Sequence, residues 1–154
     1  MKTLIVYHSE HHMNTEKVAR VLAEVLNAEL VKAIDLELDS VKEYDLIGFG
    51  SGVFWGKHHE NILRVADILP HFSGKKTFVF STSGADAISR GYHDVLKSKL
   101  ALKGFEIVGE WNCLGFDTAI SAEGINQGRP NDDDLRRVRE FALSLLRGVL
   151  QTKE

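Results

Sequence analysis

Leu4-Ile5-Val6-Tyr7-His8-Ser9-Glu10-His11-His12-Met13-Asn14-Thr15-Glu16-Lys17-Val18-Ala19 is the stretch that decides the fold. Its opening residues form a short, nearly continuous apolar run, the pattern of a strand buried on both faces. From Asn14 the period changes. Val18, Ala19, Val21, Leu22, Val25 and Leu26 recur at helical spacing, which predicts an amphipathic helix. Asn14 reads as its cap, with Glu16 in the first turn where the helix dipole favours an acid.

The same alternation continues outward. Glu29 to Ala33 reads as a second strand and Asp45 to Gly50 as a third. Ile62, Leu63, Val65, Ala66 and Leu69 return to helical spacing, and Pro70 stands where that helix should end. Lys76 to Ser81 is a fourth strand, rich in β-formers. Tyr92 to Leu102 is a helix stopped by Gly104 in a left-handed cap. Phe105 to Cys113 supplies the fifth strand. The last helix starts near Asn131 and carries Leu135, Val138, Phe141, Ala142, Leu145 and Leu146 on one face. Five strands alternating with helices predict an α/β, doubly wound, three-layer sandwich around a parallel sheet. With no repeat, low-complexity tract or linker, residues 1–154 read as a single domain. Phe116 to Pro130, rich in Gly, Ser and Asn, is too long for a tight connection and is expected to be functional or mobile.

Bulk properties narrow the function classes. Apolar residues make up 44% and charged residues 27% of the 154, an ordinary globular balance. A net charge of −3 gives no support to nucleic-acid or membrane-surface binding. Cys113 is the one cysteine, so there is no internal disulfide and no CxxC pair. No stretch approaches the roughly 20 apolar residues of a membrane span, and the apolar run at the amino terminus is short for a signal peptide. A soluble, cytoplasmic protein is the expectation.

Three loops gather at the carboxyl ends of the predicted strands, where open α/β sheets bind ligands. The first, His8 to Thr15, runs into a helix amino terminus, whose free N–H groups and dipole favour an anion. Ser9, Asn14 and Thr15 add donors there, and His11 or His12 could add charge-assisted ones. An ordinary polar loop ending in an Asn cap explains the same residues about as well. The second loop, Ser51-Gly52-Val53-Phe54-Trp55-Gly56-Lys57-His58-His59, sets two aromatics among glycines. A flat aromatic ligand stacked on Trp55 would explain them, although Phe54 could equally plug the sheet edge. The third, Ser81-Thr82-Ser83-Gly84, offers hydroxyls and N–H groups to the polar edge of a heterocycle.

Tyr7-His8-Ser9 with Asn14-Thr15-Glu16-Lys17-Val18-Ala19 resembles the phosphate loop of the flavodoxin family. His11-His12-Met13 is similar to the His-His-Gly of a branch of small flavodoxin-like proteins, with Met13 in the glycine position. Gly48 to Gly52, Phe54 to His58, Asn112 to Thr118 and Gly124 to Pro130 resemble the same branch, so the resemblance covers essentially the whole chain. It implies a sheet order of 2-1-3-4-5 and bound flavin mononucleotide (FMN). Phosphate contacts would fall on Ser9, Glu10, His11, His12, Met13, Asn14 and Thr15. Ring contacts would fall on Ser51, Gly52, Val53, Phe54, Trp55 and Gly56, with further contacts at Thr82, Ser83, Gly84 and Asp117.

Other readings compete. His11, His12, His58 and His59 on neighbouring loops raise a metal site, but no carboxylate or thiolate pattern supports it. A receiver domain would need paired acids where His8-Ser9 stands. A nucleotide-binding module without redox function shares the loop features. No dedicated NAD(P)H site is evident, so an electron carrier with low-potential redox chemistry and a redox protein partner is expected over an FMN-dependent NAD(P)H or quinone oxidoreductase. A monomer or weak homodimer is expected, without nucleic-acid or membrane partners.

Overall fold

In the computed structural model, which describes residues 1–10, 12–117 and 123–151, strands and helices alternate along the chain. The strands are β1 (Thr3–Tyr7), β2 (Glu29–Lys32), β3 (Leu46–Phe54), β4 (Lys57–His58), β5 (Lys76–Ser83) and β6 (Glu106–Leu114). The helices are α1 (Asn14–Leu26), α2 (Glu60–Ile68), α3 (Asp94–Leu102) and α4 (Asp132–Gln151). Five strands pair in parallel in the order β2-β1-β3-β5-β6, and β4 adds an antiparallel pair at the end of β3. Counted over the parallel strands alone, this is the 2-1-3-4-5 order.

Strand period explains the three layers. Leu4, Val6, Ile47, Phe49 and Val79 point to one face and pack with Ile62, Ala66, Leu96 and Leu100 of α2 and α3. Their neighbours Ile5, Tyr7, Leu46, Phe78 and Phe80 point to the other, against Val18, Leu22, Val138 and Ala142 of α1 and α4. Burial on both faces is why the strands read as apolar runs rather than as alternation. Gly48 and Gly50 make room on the second face. A Cβ on either would come within 2.3 Å of the rings of Phe78 and Phe80. Gly104 follows α3 with φ +89°, in the left-handed region. Among the described residues, no helix is long and apolar enough to cross a membrane.

Some boundaries differ from the sequence reading. β3 does not stop at Gly50. It follows β5 to the Gly52–Thr82 pair, then turns its last residues to β4 through Val53–His58 and Phe54–Lys57. Ser51 to Phe54 are therefore strand, and the turn is confined to Trp55-Gly56. Ala33 opens a 3-10 turn instead of closing β2, α3 begins at Asp94 instead of Tyr92, and β6 runs to Leu114. Asn14 is not the cap of α1: Met13 is, at φ 58°, ψ 29°, with no side-chain bond to the helix. Asn14 instead donates from Nδ2 to the carbonyl of Phe116, tying the start of α1 to the segment after β6. The cap of α4 is reciprocal. Asn131 Oδ1 accepts from the Asp134 N–H, and Asp134 Oδ2 accepts from the Asn131 N–H, both at 2.9 Å.

Candidate functional site

The carboxyl ends of β1, β3, β5 and β6 open onto one cleft of about 740 Å³, counted out to bulk solvent. That falls within the roughly 300–1,000 Å³ of small-molecule sites. From the first loop it is lined by Glu10, His12, Asn14 and Thr15, and from the end of β3 by Gly52, Val53 and Phe54. Thr82, Ser83 and Gly84 line it from β5, and Gly115, Phe116 and Asp117 from the segment after β6.

The loop reaches the helix by bonds that the sequence alone does not show. Ser9 lies behind the cleft wall, its Oγ accepting from the Glu16 N–H at 3.1 Å, while the Met13 carbonyl accepts from the Lys17 N–H. The N–H groups of Asn14 and Thr15, at the first turn of α1, have no intrahelical partner. Thr15 shares a hydrogen bond with Thr82 across the floor, Oγ to Oγ 2.8 Å. Asn14 Oδ1 is buried and has no partner. Gly115 and Gly84 let the walls close: a Cβ on Gly115 would lie 2.6 Å from Asn14 Nδ2, and one on Gly84 2.7 Å from Asp117 Oδ2. Beyond β6, Asp117 and Ile125 form a two-way backbone bridge, and Asn126 donates to the Gly84 carbonyl. Part of the Phe116 to Pro130 segment is thus a short folded hairpin over the cleft. Residues 118–122 of it lie outside the described residues.

Not every residue singled out in the sequence lines this cleft. His11 lies outside the described residues. Met13 sits at the bend before α1, and Ser51 is buried in β3, donating to the Gly52 carbonyl and accepting from the His59 N–H. Trp55 and Gly56 form the tip of the β3–β4 hairpin, both with positive φ (54° and 76°). That is the pattern of a type I′ turn, which favours Asn-Gly and strains a tryptophan. Trp55 is also 99% exposed. A large apolar side chain here satisfies neither packing nor backbone.

The histidines sort into two clusters instead of one. His58 and His93 are both 1% exposed, rings 4.9 Å apart, behind the sheet end. His58 Nε2 donates to the Phe80 carbonyl, and His93 Nε2 meets the Ser81 hydroxyl at 2.6 Å. Burial holds His58 at a pKa of about 3 and His93 at about 4, both well below the ordinary value. Cys113 is buried nearby in β6 with its thiol pushed up to about 12, chiefly by burial. His8, which sequence reasoning passed over, stacks on His59 with ring centroids 3.7 Å apart and planes 13° from parallel. Their Nε2 atoms lie 3.3 and 3.8 Å from the Glu10 carboxylate. Each Nδ1 faces a donor of Asn61: its backbone N–H meets His59 at 3.0 Å and its Nδ2 meets His8 at 3.2 Å. Bound this way, both rings carry their proton on Nε2, so they clamp a carboxylate rather than offer lone pairs to a cation. Burial, then His8, lowers the His59 pKa. The proximity of His8 and His59, 51 positions apart in sequence, comes from the parallel pairing of β1 with β3.

Residues 4–123 match the family model described as a flavodoxin domain. An uncharacterized protein of Methanocaldococcus jannaschii is 43% identical over 150 residues, covering 96% of this chain and 99% of that protein. Among solved structures, a flavodoxin from the domain Archaea superposes with a TM-score of 0.70 at 18% identity, covering 97% of this chain and 99% of the other. Flavodoxin 2 of Bacillus cereus gives 0.71 at 18% identity, covering 96% and 99%. At such identity the two structures share the fold.

Proposed function

We propose that this chain, which belongs to the flavodoxin domain family, binds FMN in the cleft beyond β1, β3, β5 and β6 and serves as an electron carrier. The observation that carries the reading is Trp55. A tryptophan held at φ 54° and left 99% exposed costs stability twice in the free protein. A planar ligand stacked at the cleft mouth gives that arrangement a use.

The residues present fit such a ligand. The N–H groups of Asn14 and Thr15 at the head of α1 suit a phosphate. Asn14 Oδ1, buried and unpartnered, is an acceptor for a ligand hydroxyl. Thr82, Ser83 and Gly84 offer donors and acceptors to the polar rim of a heterocycle. The folded hairpin at Asp117–Ile125 limits water on one side of the cleft. Bound flavin would supply one- and two-electron redox chemistry, and the chain's part is to hold it, shield one side and leave the Trp55 tip open to a partner. A redox protein is the expected partner and the cytoplasm the expected compartment.

The test is direct. The purified protein is scanned in the visible range, then stripped and titrated with FMN. Binding at micromolar concentration or tighter is expected, and its absence would overturn the reading. Steady NAD(P)H oxidation with a quinone acceptor would overturn the carrier role while leaving flavin binding in place.

A further inference from the structure

The His8–Glu10–His59 cluster poses a charge problem that the proposed ligand makes acute. Glu10 lines the cleft, as do Asp117 and the head of α1, and among the described residues no lysine or arginine lines it. A dianionic phosphate entering beside Glu10 brings like charges together in a partly dry space, and such sites take up a proton. The neighbouring titratable groups are Glu10 and His12 on the same loop, His59 and Glu60 at the head of α2, and Glu16 of α1, which already accepts from the Tyr7 hydroxyl. β4 adds Lys57, and β3 contributes to His8 only the Gly50 carbonyl.

The hydrogen bonds decide which group can accept the proton. Protonating Glu10 would waste the two Nε2–H groups aimed at it. Protonating His59 would set a new Nδ1–H against the Asn61 backbone N–H, which cannot turn away, and would remove the cap of α2. At His8 the partner is the Asn61 side-chain amide. Rotating that amide by half a turn replaces Nδ2 with Oδ1, which accepts from a newly formed Nδ1–H. The His8 Nε2–H bond to Glu10 is kept and becomes charge-assisted.

We propose that His8 is the proton-accepting residue of this site, so that binding a phosphate monoester in the cleft takes up one proton from solvent at His8 Nδ1, with Asn61 as the rotating adaptor. The inference rests on the FMN reading above. The sign follows from linkage. The His8 pKa is higher in the complex than in the free chain, so binding tightens as pH falls, by up to tenfold per unit for one proton. Riboflavin, which lacks the phosphate, gains nothing.

Calorimetric titration of the full chain with FMN at pH 7.5, in two buffers of different ionisation enthalpy, counts the protons. Uptake approaching one per FMN is expected in the native protein, with near zero for riboflavin. Uptake should vanish in His8→Asn and persist in His12→Asn. Asn61→Asp, which holds His8 charged beforehand, should also abolish uptake and flatten the pH profile, and it serves should His8→Asn fail to fold. FMN binding without proton uptake, or uptake lost only in His12→Asn, would overturn the inference while leaving FMN binding intact. Failure to bind FMN at all would instead overturn the functional reading.

Discussion

Two residues of the site hold a backbone conformation that suits them poorly. Met13 caps α1 in the left-handed region, at the position where the resembling loops carry glycine. A left-handed residue with a Cβ costs about 1–2 kcal/mol, partly offset in Met13→Gly by the freer unfolded chain. Met13→Gly should therefore raise stability by ~0.5–1 kcal/mol in urea unfolding. A lower midpoint would show that the Met13 side chain contributes packing that its 36% exposure does not suggest. Trp55 makes the sharper case. Trp55→Asn, the residue a type I′ turn prefers, should stabilise the free protein by about 1 kcal/mol and weaken FMN by ~1 kcal/mol or more, roughly fivefold or greater in Kd. If stability rises and FMN affinity holds, the tryptophan serves a partner and not the flavin. Neither strain was legible in the sequence. Gly104 could be placed in a left-handed cap because glycine advertises that conformation, whereas Met and Trp do not. Asn14 looked like a cap for the same reason of local habit, but its amide bonds to Phe116, 102 positions away.

At the level of elements, the sequence reading located every helix and all five parallel strands, because each carries its own apolar period. It missed β4 and the last third of β3, since a two-residue strand has no period and the pairing that defines it is tertiary. The cleft was legible as three loops on one edge. The His8–His59 stack was not, because adjacency across β1 and β3 has no local signature. The start of α4 shows what joins an element to the site. Asp134, 2% exposed, accepts from Arg129 Nε at 2.9 Å and from Nη2 at 2.5 Å, while capping the helix through Asn131. The Arg129 hydrogen bonds hold its carboxyl below the usual carboxylate range. Its contribution is therefore present above pH ~4 and lost as pH falls below that value. Asp134→Asn keeps the shape and removes the charge. It should cost ~2 kcal/mol, discounted for the half-open arginine, in thermal unfolding at neutral pH. It should also loosen the segment that carries Ile125 and Asn126 over the cleft, seen as faster amide exchange there. A change within ~0.5 kcal/mol would mean that the ion pair is incidental.

For the whole molecule, acid is the weak direction. His58 and His93 are kept neutral by burial at about 3 and 4, against 6.5 in an unfolded chain. The unfolded state therefore binds protons that the folded state refuses. Stability is full above about pH 6.5 and falls below it, by ~1.4 kcal/mol per pH unit for each histidine until its folded pKa is reached. Urea midpoints measured from pH 7.5 to 4.5 should trace that slope, and His58→Gln, able to keep a donor on the Phe80 carbonyl, should remove about one proton from it. An unchanged slope would place the acid sensitivity elsewhere. The same burial has a practical consequence at Cys113. It is the chain's only sulfhydryl, enclosed in β6 beside α4 with a thiol that ionises only near pH 12. A thiol-directed dye added to the native protein will be consumed only as fast as β6 opens. With no labelled mutant required, the chain carries a stopwatch for its own unfolding, and saturating it with FMN should slow that clock.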